Sequence, residues 1–190
     1  MKNKKMVLWI TLTVMAMTLL GCSKKAEAQE NPKAGSAKTG AYDSEKDFEI
    51  DWDKNVKDGV MITKYIGTKK EVRIPPSIQN NPVTGIGRHA FNYNVTRIII
   101  PDSVTSIGSQ VFDGCTSLIS VIIPYNVTRI GGGAFESCTS LTSVTFQGKI
   151  STFEGWSSPF PGDLGEKYLA SDGGPGIYKR FAGGNTWKKQ

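Results

Sequence analysis

Apolar residues recur in one arrangement three times within residues 83–146. The phrase Val-Thr-x-Ile-Gly-x-x-Ala/Val-Phe begins at Val83, Val104 and Val127, and a second apolar phrase follows each copy. The spacing between copies is 21 residues and then 23, because the first copy lacks two residues of the later ones. A nearly constant period of this length is typical of a solenoid and predicts a chain of stacked coils.

The apolar positions of one copy explain why it must repeat. Val121 and Ile123 alternate with polar or exposed positions and therefore share one face of a short strand. Val127 and Ile130 run back along an opposite wall, and Phe135 lies in a turn that we expect to have helical or 3₁₀ character. One such coil buries little apolar surface by itself. Stacked coils pair their strands in parallel and place valine on valine and phenylalanine on phenylalanine, which buries these side chains.

We therefore predict a mainly β fold, a solenoid of parallel strands and short helical turns with a β-hairpin cap at each end. The residues expected to be buried are Val104, Ile107, Phe112, Leu118, Val121, Ile123, Val127, Ile130, Phe135, Leu141, Val144 and Phe146.

Residues 118–126, Leu-x-x-Val-x-Ile-x-x-Asn, fit the leucine-rich-repeat frame. The longer phrase, which continues through Cys-Thr-Ser-Leu to Ile-Pro, resembles the BspA-type leucine-rich repeats of bacterial surface lipoproteins. The resemblance extends over residues 72–146. Ser103 and Lys149 occupy the position of Asn126 in their copies, so an unbroken ladder of asparagines is not expected.

The amino terminus is typical of an exported lipoprotein. Residues 6–20 are uncharged and follow a lysine-rich start, and 15 residues are fewer than the roughly 20 that a spanning helix needs. Residues 19–22, Leu-Leu-Gly-Cys, resemble the bacterial lipobox, which implies a signal peptide over residues 1–21 and a lipid such as palmitate on Cys22. Ser23 favours the outer membrane over retention at the inner one. The alternative is an ordinary signal peptide with an incidental cysteine.

Charge and composition bear on nucleic-acid binding and on the division of the chain into segments. Removal of Lys2, Lys4 and Lys5 with the signal peptide lowers the formal net charge from +6 to +3. The lysines and arginines form no stripe along the sequence, so we predict no nucleic-acid binding. Residues 22–42 are polar and aperiodic, as expected of a flexible tether. The rest is read as one domain, divided into an N-terminal β cap with a half-repeat (43–75), repeats (76–147) and a C-terminal cap (148–190).

Each cap contains two apolar segments around a turn. Residues 48–52 and 60–66 flank a turn that ends in Asp-Gly and predict the first hairpin, which leads into the half-repeat at residues 71–75. Beyond Phe146 the period is expected to stop. There we predict a loop over 151–163, a short helix over 164–170, and a closing hairpin of 177–181 with 186–188.

Few residues suggest chemistry. Cys115 and Cys138 occupy equivalent positions in adjacent coils, which leaves open either a disulfide or two buried reduced thiols, the second being preferred.

His89, the only histidine, lies on an outer turn, and the sequence indicates neither a carboxylate to orient it nor a nucleophile beside it. Residues 51–55, Asp-x-Asp-x-Asn, begin like a calcium loop but lack its later glycine and glutamate. We therefore predict that the protein is not an enzyme and that it has no cofactor and no metal site.

The strand positions that point away from the core vary between copies, which is typical of a recognition surface. They form the candidate binding face: Arg73, Ile99, Ile122 and Thr145 in one row, and Glu71, Arg97, Ser120 and Ser143 in the other. Ile99 and Ile122 side by side indicate either an apolar contact patch or simple strand preference under a covering cap.

The resemblance implies a cell-surface, adhesin-like module that binds a protein or glycan of host matrix or other cells. The alternative is a periplasmic or envelope scaffold that binds other envelope components. The oligomeric state does not follow from the sequence.

Overall fold

The computed structural model describes residues 41–55, 57–91 and 94–190. The predicted signal peptide (1–21), Cys22 and nearly all of the tether (22–42) lie outside the described residues. The strands are β1 (Phe48–Trp52), β2 (Val60–Tyr65), β3 (Glu71–Arg73), β4 (Ser77–Ile78), β5 (Asn81–Ile86), β6 (Arg97–Ile99), β7 (Ser106–Ile107), β8 (Ser120–Ile123), β9 (Arg129–Gly131), β10 (Ser143–Phe146), β11 (Thr152–Glu154), β12 (Gly176–Lys179) and β13 (Lys188–Lys189). A 3₁₀ turn covers Glu45–Asp47, and one helix, α1, covers Leu164–Leu169.

These strands form two sheets that are the two walls of a solenoid. The front sheet has the order β3-β6-β8-β10-β12-β13, and the rear sheet has the order β1-β2-β5-β7-β9-β11 with β4 beside β5. Pairs between successive coils are parallel, whereas the antiparallel pairs β1/β2 and β10/β12/β13 lie at the two ends. The predicted solenoid of parallel strands with a hairpin cap at each end is confirmed.

The core consists of columns of equivalent side chains. Ile98, Val121 and Val144 are direct register partners in three successive front strands. All twelve residues predicted to be buried are at most 2% exposed. Burial of this kind is the main favourable contribution to folding, and here each coil obtains it only from its neighbours.

One column is aromatic and extends into both caps. Phe91, Phe112 and Phe135 stack with ring centroids 5.0 and 4.9 Å apart, close to the spacing of neighbouring strands. Tyr65 of the first hairpin stacks on Phe91 at 5.6 Å, and Phe160 stacks on Phe135 at 4.9 Å. The rings at the column ends therefore come from residues outside the regular repeat phrase.

The period continues beyond Phe146, so the prediction that it stops there is wrong. Strand β11 lies within the segment predicted as loop and pairs in parallel with β9, with Phe153 opposite Ile130. Ile150 and Phe153 keep the three-residue spacing of Val127 and Ile130 although the residue types differ. Apolar side chains of a different type therefore continue the columns here.

The turns have the predicted 3₁₀ character without forming a continuous helix. Successive backbone bonds join residues three apart, including Cys115 N to Phe112 O at 3.0 Å and Cys138 N to Phe135 O at 3.2 Å. His89, Gln110 and Gly133 occupy equivalent places with φ of 53°, 55° and 64°. This shared left-handed conformation explains a glycine in one copy, since glycine adopts it without strain.

Serine replaces asparagine in one step of the side-chain ladder. Asn126 Nδ2 donates to the carbonyl of Asp102 on the preceding coil at 2.8 Å. Ser103 Oγ donates to the Pro76 carbonyl at 3.1 Å in the equivalent place. The expected break in the asparagine ladder is therefore bridged by a shorter side chain with the same hydrogen-bonding role.

A buried arginine closes the carboxy-terminal end. Arg180 Nε donates to Leu141 O at 2.6 Å, and its Nη2 donates to Cys138 O at 2.9 Å, while Nη1 donates to Gly184 O. Desolvation lowers the pKa of Arg180. The guanidinium thus satisfies carbonyls of the last coil that no further coil is present to bind.

Within the described residues, no helix is both long enough and apolar enough to cross a membrane.

Candidate binding face

The predicted face residues form two straight rows on the front sheet. Strand pairing places Arg73, Ile99, Ile122 and Thr145 opposite one another and adds Ile177 of β12 at the end. The second row consists of Glu71, Arg97, Ser120, Ser143 and Lys179. The intervening residues, such as Val121 and Val144, point into the core, so these rows form the outward surface of one wall.

The cap extends this face and does not cover it. Ile122 is 49% exposed and Ile177 is 43% exposed, although both are large apolar residues in a well-paired sheet. Strand β12 pairs with β10 along the sheet edge and so extends the same sheet. The cap therefore leaves Ile122 and Ile177 exposed, whereas Ile99 is half-buried.

Charge is unevenly distributed beside this apolar row. Arg73, Arg97 and Lys179 contribute three positive charges, against the single negative charge of Glu71. Lys188 of β13 pairs with Lys179 and adds a further positive charge at the end of the same sheet. Exposed isoleucines with a basic border are complementary to a surface that carries apolar and acidic groups.

His89 has the surface position that was predicted for it. It is exposed on the outer turn, where its Nε2 accepts a hydrogen bond from Arg88 Nε at 3.2 Å. Arg88 also donates through Nη2 to Gln110 Oε1 of the next coil. These contacts join neighbouring turns and do not assemble a nucleophile with a base.

The Asp-x-Asp-x-Asn sequence of residues 51–55 stabilises the first hairpin. Asp53 is 7% exposed, and its Oδ2 accepts from Thr84 Oγ1 at 2.7 Å while its Oδ1 accepts from Asn55 N at 2.9 Å. Over the described part of the chain, no three His, Cys, Asp or Glu side chains are grouped to hold a metal ion.

Cys115 and Cys138 are buried thiols in adjacent coils and are not joined by a disulfide. Cys138 Sγ donates to the Phe112 carbonyl at 3.1 Å. Burial raises the pKa of Cys115 to about 12 and also raises the pKa of Cys138, because a thiolate here would lose its hydration. Such thiols are poor nucleophiles.

We expect neither thiol to react in the native protein. With Cys22→Ser as background, a thiol reagent at pH 8 should label nothing until denaturant is added, and should then label two sites. Because the folded-state pKa values exceed the unfolded value of about 8.5, unfolding releases protons at alkaline pH, and stability should fall as pH rises above that value. Fast labelling of the native Cys22→Ser chain would contradict this assignment.

The fold and the open face define a class, a capped repeat solenoid with an exposed front sheet. Residues 70–157 match the family of the BspA type leucine rich repeat region, in six copies. This part of the chain is a BspA-type leucine-rich-repeat domain, as the resemblance implied.

Solved structures of bacterial repeat proteins agree with this assignment. The leucine rich repeat protein of T. pallidum is 32% identical, with a TM-score of 0.53, over 56% of this chain and 50% of that chain. A leucine-rich repeat protein from Bacteroides capillosus ATCC 29799 is 29% identical, with a TM-score of 0.52, over 60% of this chain and 90% of that one. This chain thus spans half the length of the T. pallidum structure.

A leucine rich cell surface protein from Faecalibacterium prausnitzii A2-165 is 31% identical over 58% of this chain and 33% of that chain, with a TM-score of 0.46. No curated protein matches the chain. Leucine-rich-repeat domains generally mediate protein binding.

Proposed function

We propose that this chain is a lipid-anchored, cell-surface binding protein whose front sheet contacts a protein partner. The observation that carries the proposal is the outward row of Ile99, Ile122, Thr145 and Ile177, in which Ile122 is 49% exposed and Ile177 is 43% exposed. The core does not require apolar residues there, since the opposite side of the same strands is already buried. Large apolar side chains exposed on one face with a polar border are typical of interaction sites.

The shape and charge of the face favour an extended partner. Parallel strands about 4.8 Å apart present a regular, ridged wall rather than a closed pocket. Arg73 and Arg97 at one end and Lys179 at the other favour acidic groups beside apolar anchors. We therefore expect a protein segment with apolar and acidic side chains, bound more weakly as salt concentration rises.

The location is tested first, by protease treatment of intact cells. A surface binding protein should be removed from the cells by added protease, whereas an envelope scaffold inside the outer membrane should survive. If the protein survives protease treatment, the front sheet would instead be assigned to binding a partner within the envelope. A cytoplasmic protein of known protease sensitivity provides the control for cell integrity.

The face is then tested by placing charge in the apolar row. The double variant Ile99→Lys and Ile122→Lys should weaken partner binding at least tenfold, because two ammonium groups must then be desolvated on contact. Ile66→Lys is the matched control, since Ile66 is 50% exposed, as Ile122 is 49% exposed, but follows β2 of the rear sheet. Binding is measured by surface plasmon resonance against partners captured from matrix and envelope fractions. Equal affinity of both variants and the parent chain would exclude this face.

The anchor is tested at Cys22. The parent chain should incorporate radiolabelled palmitate and partition into the membrane fraction, and Cys22→Ser should do neither, because only a thiol at that position accepts the diacylglyceryl group. Cys115→Ser is a control with the same chemical change in the folded domain. Unchanged labelling of the Cys22→Ser chain would contradict lipid attachment there.

A further inference from the structure

A groove of 280 Å³ lies at the amino-terminal end of the rear sheet, away from the front-sheet binding face. It is bounded by the β1–β2 hairpin on one side and by the tight turn between β4 and β5 on the other. Its lining residues are Ile50, Asp51, Trp52, Val60, Gln79 and Asn81. The volume is slightly below the roughly 300 Å³ at which pockets for drug-sized ligands begin, so it suits a single small ring.

The groove combines an aromatic surface with an apolar base. Trp52 is 60% exposed, which leaves much of its large indole ring accessible to a ligand. Val60 is only 2% exposed, and Ile50 is a partly buried residue packed against the core. An exposed indole offers a flat apolar platform at little cost in side-chain entropy.

Three polar side chains in the lining have unused hydrogen-bonding capacity. Asp51 accepts from Trp52 N through Oδ1 at 2.8 Å, and Asn81 donates through Nδ2 to Gln79 O at 2.8 Å. Among the described residues, Asp51 Oδ2, Asn81 Oδ1 and the Gln79 side-chain amide have no hydrogen-bond partner. One carboxylate and two amides therefore offer both acceptors and donors beside the indole.

The turn that carries Gln79 is held in place by contacts with other segments. Gln79 has a left-handed backbone, with φ of 52°, and its N–H donates to Glu45 Oε2 at 2.9 Å. The turn is also paired into β5 through Ile78 and Asn81. The backbone position of this turn beside the β1–β2 hairpin is thus set by the fold, as binding of a small ligand requires.

We propose that this groove binds one uncharged sugar ring, a hexose or N-acetylhexosamine unit of a glycan. A pyranose presents a face of C–H groups, which would stack on Trp52, and a rim of hydroxyls, which both donate and accept. Asp51 would accept from those hydroxyls, and Gln79 and Asn81 would do both. No basic side chain lines the groove, and Asp51 disfavours anionic sugars. The site is independent of the proposed function of the front sheet.

The test uses the full chain and simple methyl glycosides. Saturation-transfer NMR and titration with methyl glucoside, methyl galactoside and methyl N-acetylglucosaminide should show binding of at least one, with Kd on the order of 1 mM for so few atoms. Methyl glucuronide should bind at least several-fold more weakly. Trp52→Ala should weaken binding about tenfold or more, and Asn81→Ala several-fold, as expected for lost stacking and hydrogen bonds.

Trp156→Ala is the matched control, because Trp156 is fully exposed and outside the groove. Circular dichroism of each variant checks that the fold is intact, and Asp51→Asn gives a second variant of unchanged size that should also bind more weakly. No binding of the three neutral glycosides, a preference for the glucuronide, or equal loss in the Trp52 and Trp156 variants would overturn the proposal. The Ile99→Lys and Ile122→Lys chain should bind sugar normally, which separates this site from the front face.

Discussion

Phe112→Ala should lower the free energy of unfolding by about 3–5 kcal/mol, the range for truncating a large buried aromatic side chain. Phe112 is fully buried, and its ring lies 5.0 Å from that of Phe91 and 4.9 Å from that of Phe135. Its removal opens a cavity in the middle of the aromatic column. In a solenoid the coils are held by nearest-neighbour contacts, so the loss affects both interfaces of that coil.

Urea unfolding followed by far-UV circular dichroism measures this effect. Phe181→Ala is the control of identical chemistry, because Phe181 is 91% exposed, and we expect a change within about 0.5 kcal/mol. Phe112→Leu retains most of the volume and should cost less than Phe112→Ala. A loss below about 1 kcal/mol for Phe112→Ala would contradict the central place of this ring.

Arg180→Ala should destabilise the protein by roughly 3 kcal/mol, because it leaves buried carbonyls of the last coil without donors. The guanidinium is also stacked against the Trp187 ring, with its central carbon 5.1 Å from the ring centroid. No acidic side chain pairs with it among the described residues that contact it, so backbone carbonyls and the indole supply its stabilisation. The variant should therefore lose cap packing as well as hydrogen bonds.

Arg180→Lys should recover only a minor part of this loss, since one ammonium cannot reproduce a planar fork that reaches several carbonyls. Lys179→Ala, at the exposed neighbouring position, serves as the control and should be close to neutral. The same urea titration, followed by far-UV circular dichroism, measures both variants. Full recovery by lysine would mean that positive charge alone, rather than the fork geometry, matters at this site.

The repeat and its core were predictable from the sequence because the information is local. A side chain at a given place in one coil meets the equivalent side chain of the next coil, so recurrence along the chain becomes contact in space. Val104, Val127 and their equivalents could thus be assigned to columns without knowledge of the structure. The face rows followed for the same reason, since strand alternation determines which of Ile122 and Val121 points outward.

The caps were only partly predictable. The two hairpins and the short helix were indicated by apolar segments around turn residues, but β11 was assigned to a loop. The spacing of Ile150 and Phe153 contained the signal, yet their residue types differ from the repeated phrase. Phe160 and Arg180 gave no periodic signal, because each meets its partners only after irregular segments have folded back.

The sequence by itself determined the solenoid, its columns and the outward rows, because all three follow from a period and a strand alternation. Only the tertiary structure decided how the column ends are closed, by Tyr65, Phe160 and Arg180, and that the front face stays open. It also brought Trp52 beside Gln79 and Asn81 in one groove. These arrangements join segments with no common spacing, and their geometry depends on contacts between distant residues, which no local pattern records.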